Sequence, residues 1–309
     1  MRGAERPLTF GNALTAWFER HGRNWLPWRT ERSPYRIVVS EFMLQQTQVD
    51  RVIPIFERFV AAWPSFEALA EASQADVVRA WKGLGYNSRA VRLHKLARAV
   101  RDQFGGELPQ EEHVLRGLPG IGPYTARALA AFAFELDTVA LDTNVRRIVH
   151  RTQLGLEWPS RAPDAELDAL ALGLVPPGAG FAFNSALMDL GSTICTARAP
   201  KCLICPLREH CAAAPIDAAA LAALATAHAP PRTPQERLPF ERTTRFVRGR
   251  VIDRLRELEP GKRISLLDLQ ADLAAALPHH DAEALAEAVA GLSREGVVDR
   301  EEDGVRLAH

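Results

Sequence analysis

The stretch LPGIGPYTARALAAFAF, residues 118–134, decides how this chain is read. Gly120 and Gly122 flank Ile121, the pattern of a tight hairpin whose glycines supply positive φ. From Ala126 onward the residues make a good helix, and 111–116 reads as a short helix before the hairpin. A helix that starts straight after a glycine turn leaves backbone N–H groups free, which makes a ready anion site. A nucleic-acid phosphate is the ligand such a site takes regardless of base sequence. The plain alternative is an ordinary glycine turn between helices, and the LPGIG pattern argues against it.

About twenty residues further on comes VALDTNVRRIVHR, 139–151. Asp142 stands where an apolar approach meets a helix start, with Asn144 two residues later. An N-cap aspartate is the ordinary reading. Capping and chemistry are compatible, because a cap holds the carboxylate in one orientation.

Upstream, PYRIVVSEFMLQQTQV spans 34–49. Tyr35 to Met43 is mostly apolar, yet it contains one carboxylate, Glu41. Gln45, Gln46 and Thr47 follow at once. Thr47 and Asp50 have capping-box spacing, so a helix starts near Gln48. Its apolar face would be Val49, Val52, Ile53, Phe56 and Val60, with Pro54 bending it. The glutamines then sit on an exposed turn between two helices.

Helical signals dominate the rest. LTAWFERH, 14–21, sets Leu14, Trp17 and Phe18 on one side. Further helices are expected near 75–82, 87–103, 123–134, 143–152, 164–173 and 181–191, and no alternating strand is evident before residue 295. The chain has 309 residues, enough for two or three domains. Its 38 basic and 38 acidic residues cancel, so DNA affinity must come from local patches such as RAVRLHKLARAVR, 89–101, or RTTRFVRGR, 242–250. A solvated helix face is the bland reading of both. With no membrane-length apolar run and no signal-peptide pattern, a cytoplasmic location is expected.

The four cysteines, Cys195, Cys202, Cys205 and Cys211, follow C-x6-C-x2-C-x5-C. Such a gathering points to a tetrahedral metal site rather than to disulfides. Zinc usually takes two close pairs, and Cys202 with Cys205 makes one. A four-iron cubane held by four thiolates fits one loop at least as well. Arg198, Lys201 and Arg208 would offset the thiolate charge or face phosphates.

Together these residues resemble the adenine DNA glycosylases of the helix-hairpin-helix superfamily, the MutY-like enzymes. The resemblance covers roughly residues 10–212. It rests on LPW (26–28), SEFMLQQTQV (40–49), GLGY (83–86), LPGIGPYTA (118–126), LDTNV (141–145), MDLG (188–191) and the cysteine spacing. It implies a mainly α, two-domain fold with a 4Fe–4S cluster loop. A six-helix barrel domain with the hairpin would cover 30–142, and the cluster domain 1–29 with 143–212. It implies Glu41 as the acid/base residue and Asp142 as the carboxylate under the sugar, with Tyr124 and Asn144 in support. Gln45, Gln46, Thr47, Tyr86, Gly120, Gly122 and Thr125 would contact DNA. Cys195, Cys202, Cys205 and Cys211 would hold the cluster.

The chemistry suits those residue types. Releasing a base needs a proton on the leaving group and negative charge near an oxocarbenium-like sugar, so two carboxylates in unequal surroundings can share the work. The target base must first leave the stack. The endonuclease III type carries a lysine where this chain has Tyr124, so no Schiff base is expected and the enzyme should be monofunctional. Thymine–guanine mismatch glycosylases share the tyrosine and aspartate but lack the glutamate and the LQQTQV run. The family usually has GLGYY, whereas Asn87 follows Tyr86 here.

After Cys211 the chain turns rich in Ala and Pro, and 213–240 reads as a linker. Full-length relatives continue into a nudix-like domain, for which 241–309 is too short. Three helices, near 243–258, 266–276 and 282–294, then a hairpin turning at Asp303–Gly304, suggest a small winged-helix-like domain. It either binds DNA or packs on the catalytic body. The expected function is hydrolysis of adenine mispaired with 8-oxoguanine or guanine in double-stranded DNA, by a monomeric, nucleoid-associated enzyme away from membranes. The alternatives are excision of uracil, thymine or hypoxanthine, and a non-catalytic, metal-stabilised DNA-binding protein.

Overall fold

A computed structural model of the chain describes residues 9–158, 161–229 and 238–309. The chain divides into two compact units. The first is Met1–Val38, Pro109–Gly117 and Ile121–Thr233, and the second is Val39–Leu108, Leu118–Gly120 and Pro234–His309. The mainly helical expectation holds: among the described residues the strands are Val298–Glu301 and Gly304–Leu307.

In the first unit, helices Phe10–His21, Thr143–Val149, Asp164–Leu172 and Gly180–Thr193 close on one core. Thr9 starts the first of these by accepting the N–H of Asn12 on its hydroxyl. Phe10, Leu14 and Phe18 recur at helical spacing and meet Val145, Ile148, Phe183, Leu187 and Leu190. The expected side of this helix is therefore the buried one, with Trp17 packed at its margin. Beside this core the buried Asp189 accepts from Arg23 and Arg29. Arg23 reaches it through its backbone N–H at 2.8 Å, and the Arg29 guanidinium does so at 2.8 and 3.2 Å. The chain entering LPW is thus pinned to the MDLG helix.

In the second unit, helices Val49–Ala62, Gln74–Ala80 and Ser88–Phe104 follow the expected order, and Phe66–Glu71, capped by Ser65, is a helix the sequence reading did not place. The face of Val49–Ala62 is turned from the sequence reading. Val52, Phe56 and Val60 are buried as expected, but Ile55 and Phe59 join them while Val49 and Ile53 are only half-buried. Gln48, not Thr47, is the N-cap, and it caps without a side-chain bond. The reason lies in Thr47, whose hydroxyl is engaged elsewhere, as described below.

The C-terminal stretch has helices Thr244–Arg256, Leu266–Leu273 and Ala282–Arg294. Ser265 caps the second of these through Asp268 as expected, accepting its N–H at 3.0 Å. The hairpin pairs Glu301 with Gly304, so its turn is Glu302–Asp303, one residue earlier than the sequence pattern gave. Gly304 takes the positive φ of 140° as the first residue of the returning strand. Ile264 bridges to Val305 on the other side of that strand. Within the stretch read as linker, Asp217 caps a helix, Ala218–Ala227, while 230–237 falls outside the described residues, as do 1–8 at the N-terminus. Among the described residues no helix is long and apolar enough to cross a membrane.

Candidate active site

Asp142 is the N-cap of Thr143–Val149. Its Oδ1 accepts the Val145 N–H at 2.7 Å, and its Oδ2 accepts the Asn144 amide at 3.1 Å. The carboxylate is thus held at both oxygens and stays half-buried. Asn144 is itself held, because its Oδ1 accepts from Arg147 at 2.9 Å. Arg147 also donates to the carbonyls of Gly191 and Cys195, both at 2.8 Å. Gly191 explains the glycine of MDLG: a Cβ there would lie 2.7 Å from the Asn144 Cβ.

Glu41 lies half-buried in helix Pro34–Leu44, among the buried Ser40, Phe42 and Met43. The turn after this helix carries Gln45, Gln46 and Thr47. Gln46 takes φ 54°, and Tyr86 of the GLGY turn takes φ 45°. Left-handed backbone is unusual for such side chains and persists where the surroundings enforce it. Arg89 supplies that enforcement. It is 4% exposed. One guanidinium nitrogen donates to the carbonyls of Phe42, Met43 and Gln45 at 2.8, 2.9 and 2.6 Å. The other donates to the Thr47 hydroxyl and the carbonyls of Leu84 and Gly85 at 3.1, 3.1 and 3.2 Å. One side chain thus locks the Gln46 and Tyr86 turns together. The first arginine of the 89–101 basic stretch is therefore neither a surface patch nor a solvated face.

In the hairpin, Gly120 has φ 79° and packs so closely on Phe42 that a Cβ would meet its ring at 3.0 Å. Gly122 differs. It is the N-cap of Pro123–Ala133, without a side-chain cap, and nothing lies within 4 Å of its would-be Cβ. That side of the turn is open to a ligand, while the first-turn N–H groups lack a side-chain acceptor. The helix starts at Pro123, as the expected span 123–134 has it, because proline suits the first helical position. Tyr124 is half-buried there and Thr125 is buried.

The four cysteines are free thiols lining one pocket with Lys201 and Arg208. Burial pushes the Cys205 thiol up to about 11, and Cys195, Cys211 and Cys202 add to the rise. Crowded thiols of this kind need bound cations to ionise together. Four thiols from one loop around one pocket are the donor set of a four-iron cubane. Arg151, fully buried on Glu157, donates to the carbonyls of Thr196 and Ala197 at 2.8 and 3.1 Å and shapes the loop. Sequence reasoning passed over Arg147 and Arg151. Their four-residue spacing in VRRIVHR was the available signal for one shared helix face.

A family model described as HhH-GPD superfamily base excision DNA repair protein matches residues 39–171, and the iron-sulfur binding domain of endonuclease III matches 195–211. The fold resembles a thermostable thymine-DNA glycosylase (TM-score 0.61, 31% identity, 66% of this chain and 94% of that one). It also resembles a non-covalent endonuclease III–DNA complex (TM-score 0.55, 22% identity, 64% and 90%). Fold and cysteine loop together define a helix-hairpin-helix DNA glycosylase of base excision repair with a 4Fe–4S cluster. An adenine DNA glycosylase of Mycolicibacterium smegmatis is 42% identical over 79% of each chain. One of Mycobacterium tuberculosis strain H37Rv is 44% identical over 80% of this chain and 78% of its own. The human adenine DNA glycosylase is 40% identical over 69% of this chain and 40% of its own. The chain belongs to the adenine DNA glycosylase family.

Proposed function

We propose that the protein is a monofunctional glycosylase that flips out adenine mispaired with 8-oxoguanine or guanine in duplex DNA and hydrolyses its N-glycosidic bond. The observation that carries this reading is Asp142, a carboxylate fixed at both oxygens by the Val145 N–H and the Asn144 amide. A negative group held so firmly suits the positive charge that develops on the sugar as the bond breaks. Glu41 delivers a proton to a ring nitrogen of adenine, so the base departs neutral, and water completes the sugar. Tyr124 supplies no amine, so no imine forms. Gln46 and Tyr86, on their left-handed turns, fill the space the adenine leaves and contact its neighbours, and the Gly122 turn takes a backbone phosphate. Gln45, Thr47, Gly120 and Thr125 shape the same contacts. Cys195, Cys202, Cys205 and Cys211 hold the 4Fe–4S cluster, which orders the loop when bound.

The test is a panel of duplexes carrying adenine, uracil, thymine or hypoxanthine opposite each partner base, read under single-turnover conditions. Adenine opposite 8-oxoguanine and guanine should be released, and Glu41→Gln should abolish release while leaving binding nearly intact. Strand breaks should need alkali, and borohydride should trap no adduct. Preference for thymine would favour the reading suggested by the thymine-DNA glycosylase likeness. Release by the Glu41→Gln variant at half the wild-type rate would remove Glu41 as the acid.

A further inference from the structure

The C-terminal stretch packs in one compact unit with residues 39–108. Its firmest tie is Arg256, the last residue of Thr244–Arg256, whose side chain is 8% exposed. It donates twice to the carbonyl of Val78, at 3.2 and 2.9 Å, and once to Asn87 Oδ1, at 2.7 Å. Val78 lies in the last turn of Gln74–Ala80, where carbonyls lack partners within the helix and a cation suits the helix end. Asn87 directly follows Tyr86. Its short amide brings an acceptor to the guanidinium, which a tyrosine there would carry out of reach. Near the opposite end of the same helix, the Arg245 guanidinium lies over the Tyr86 ring, 5.0 Å from its centre. Gln74 adds a third tie by donating to the Gly296 carbonyl at 2.7 Å.

The arginines of 242–250 therefore divide. Arg248 pairs with Glu295 and Arg250 with Asp253, whereas Arg245 has no carboxylate partner among the described residues and stands on Tyr86. Tyr86 is 44% exposed and left-handed, so its backbone needs support that its own side chain does not supply. Arg89 grips this turn from inside, and helix Thr244–Arg256 grips it from outside.

We propose that helix Thr244–Arg256 braces the Tyr86 turn, with Arg245 and Arg256 as positioning residues and Asn87 as their seat, so that the C-terminal stretch sets Tyr86 for duplex DNA. This rests on the reading of Tyr86 as a DNA contact. The brace acts through Tyr86 and not through phosphates, which gives it a distinctive signature.

The experiment uses the full chain with its cluster and a duplex containing adenine opposite 8-oxoguanine. The variants are Tyr86→Ala, Asn87→Ala, Arg245→Met and Arg256→Met, with each of the last three also combined with Tyr86→Ala. Dissociation constants are measured across salt concentrations, beside melting temperature and visible absorption. Asn87→Ala and Arg245→Met should each weaken binding about fivefold, as the loss of one polar contact does. Neither should change the salt slope, and neither should weaken binding further in the Tyr86→Ala background. Should Arg256→Met fail to fold, the other two still decide. Wild-type binding by both singles, while Tyr86→Ala binds poorly, would overturn the brace alone. So would losses that add to Tyr86→Ala, or a salt slope reduced by about one in Arg245→Met, which would make Arg245 a phosphate contact. Wild-type binding by Tyr86→Ala itself would overturn the DNA reading of Tyr86, and the brace with it.

Discussion

Asn144 donates its amide to Asp142 Oδ2 at 3.1 Å while accepting from Arg147 at 2.9 Å. Arg147 in turn reaches the Cys195 carbonyl at 2.8 Å, so the orientation of the Asp142 carboxylate is tied to the cysteine loop. Asn144→Ala should slow base release about tenfold, the value of one hydrogen bond to a charged group. Single-turnover rates at saturating duplex check this, and an unchanged rate would separate Asn144 from the chemistry.

Arg89 makes its bonds to five carbonyls and one hydroxyl with the two forked ends of a guanidinium. A lysine has three donors at one point and cannot serve them all. Arg89→Lys should cost about 2–4 kcal/mol of stability by leaving buried carbonyls unpaired. It should also weaken DNA binding, since the Gln46 and Tyr86 turns lose their common anchor. Denaturant unfolding and binding titrations read the two effects. Loss of neither would make the buried guanidinium dispensable.

Asp189 faces two guanidiniums at once. Burial pushes its carboxyl up, but the hydrogen bonds and charges of Arg29 and Arg23 outweigh this and hold it below the usual carboxylate range. A lowered carboxyl stabilises the fold above the unfolded value, near pH 4, and that contribution is lost as pH falls through the folded value. Asp189→Asn should therefore cost about 3 kcal/mol at neutral pH, because the nearly buried Arg29 and the partly exposed Arg23 lose their counter-charge. The loss should shrink in acid. A pH-independent loss in denaturant titrations would point to packing instead.

His94 is fully buried in helix Ser88–Phe104. Burial first, and then the charge of Arg98, push it down from 6.5 to about 4. The fold holds it neutral, while the unfolded chain takes up a proton below about 6.5. Its contribution is complete above that pH and declines as pH falls toward 4. His94→Leu should flatten stability between pH 6.5 and 4 relative to the wild type. Parallel acid profiles in the two proteins would exclude His94 as the source of the slope.

Purified protein should be brown, with broad absorption at the blue end of the visible range. Cys202→Ser should yield little folded protein, since a ligand is lost from a loop whose order depends on it. Removing iron with a chelator under reducing conditions should lower the melting temperature and base release together. A colourless, fully active protein containing one zinc would contradict the cluster assignment.

Much of the candidate site was legible because its causes are local. The Asp142 cap lies three residues from the N–H it accepts, and the hairpin is declared by glycines two residues apart. The cysteine spacing sets out a ligand loop within 17 positions. Such signals need only short-range backbone geometry, so the sequence alone determined the helix-hairpin-helix, the carboxylates and the cluster loop. Folding decided which arginines are structural. Arg89 reads as surface charge until the distant turn after Met43 brings its carbonyls to it, and Arg147 meets Cys195 across 48 residues. Arg256 meets Asn87 across 169, which turns a tail of unassigned purpose into a neighbour of Tyr86. The acceptors in these contacts are mostly backbone carbonyls, which every residue carries and which leave no mark in a sequence. Side-chain patterns announce capping and burial, but where a guanidinium finds its carbonyls depends on tertiary structure.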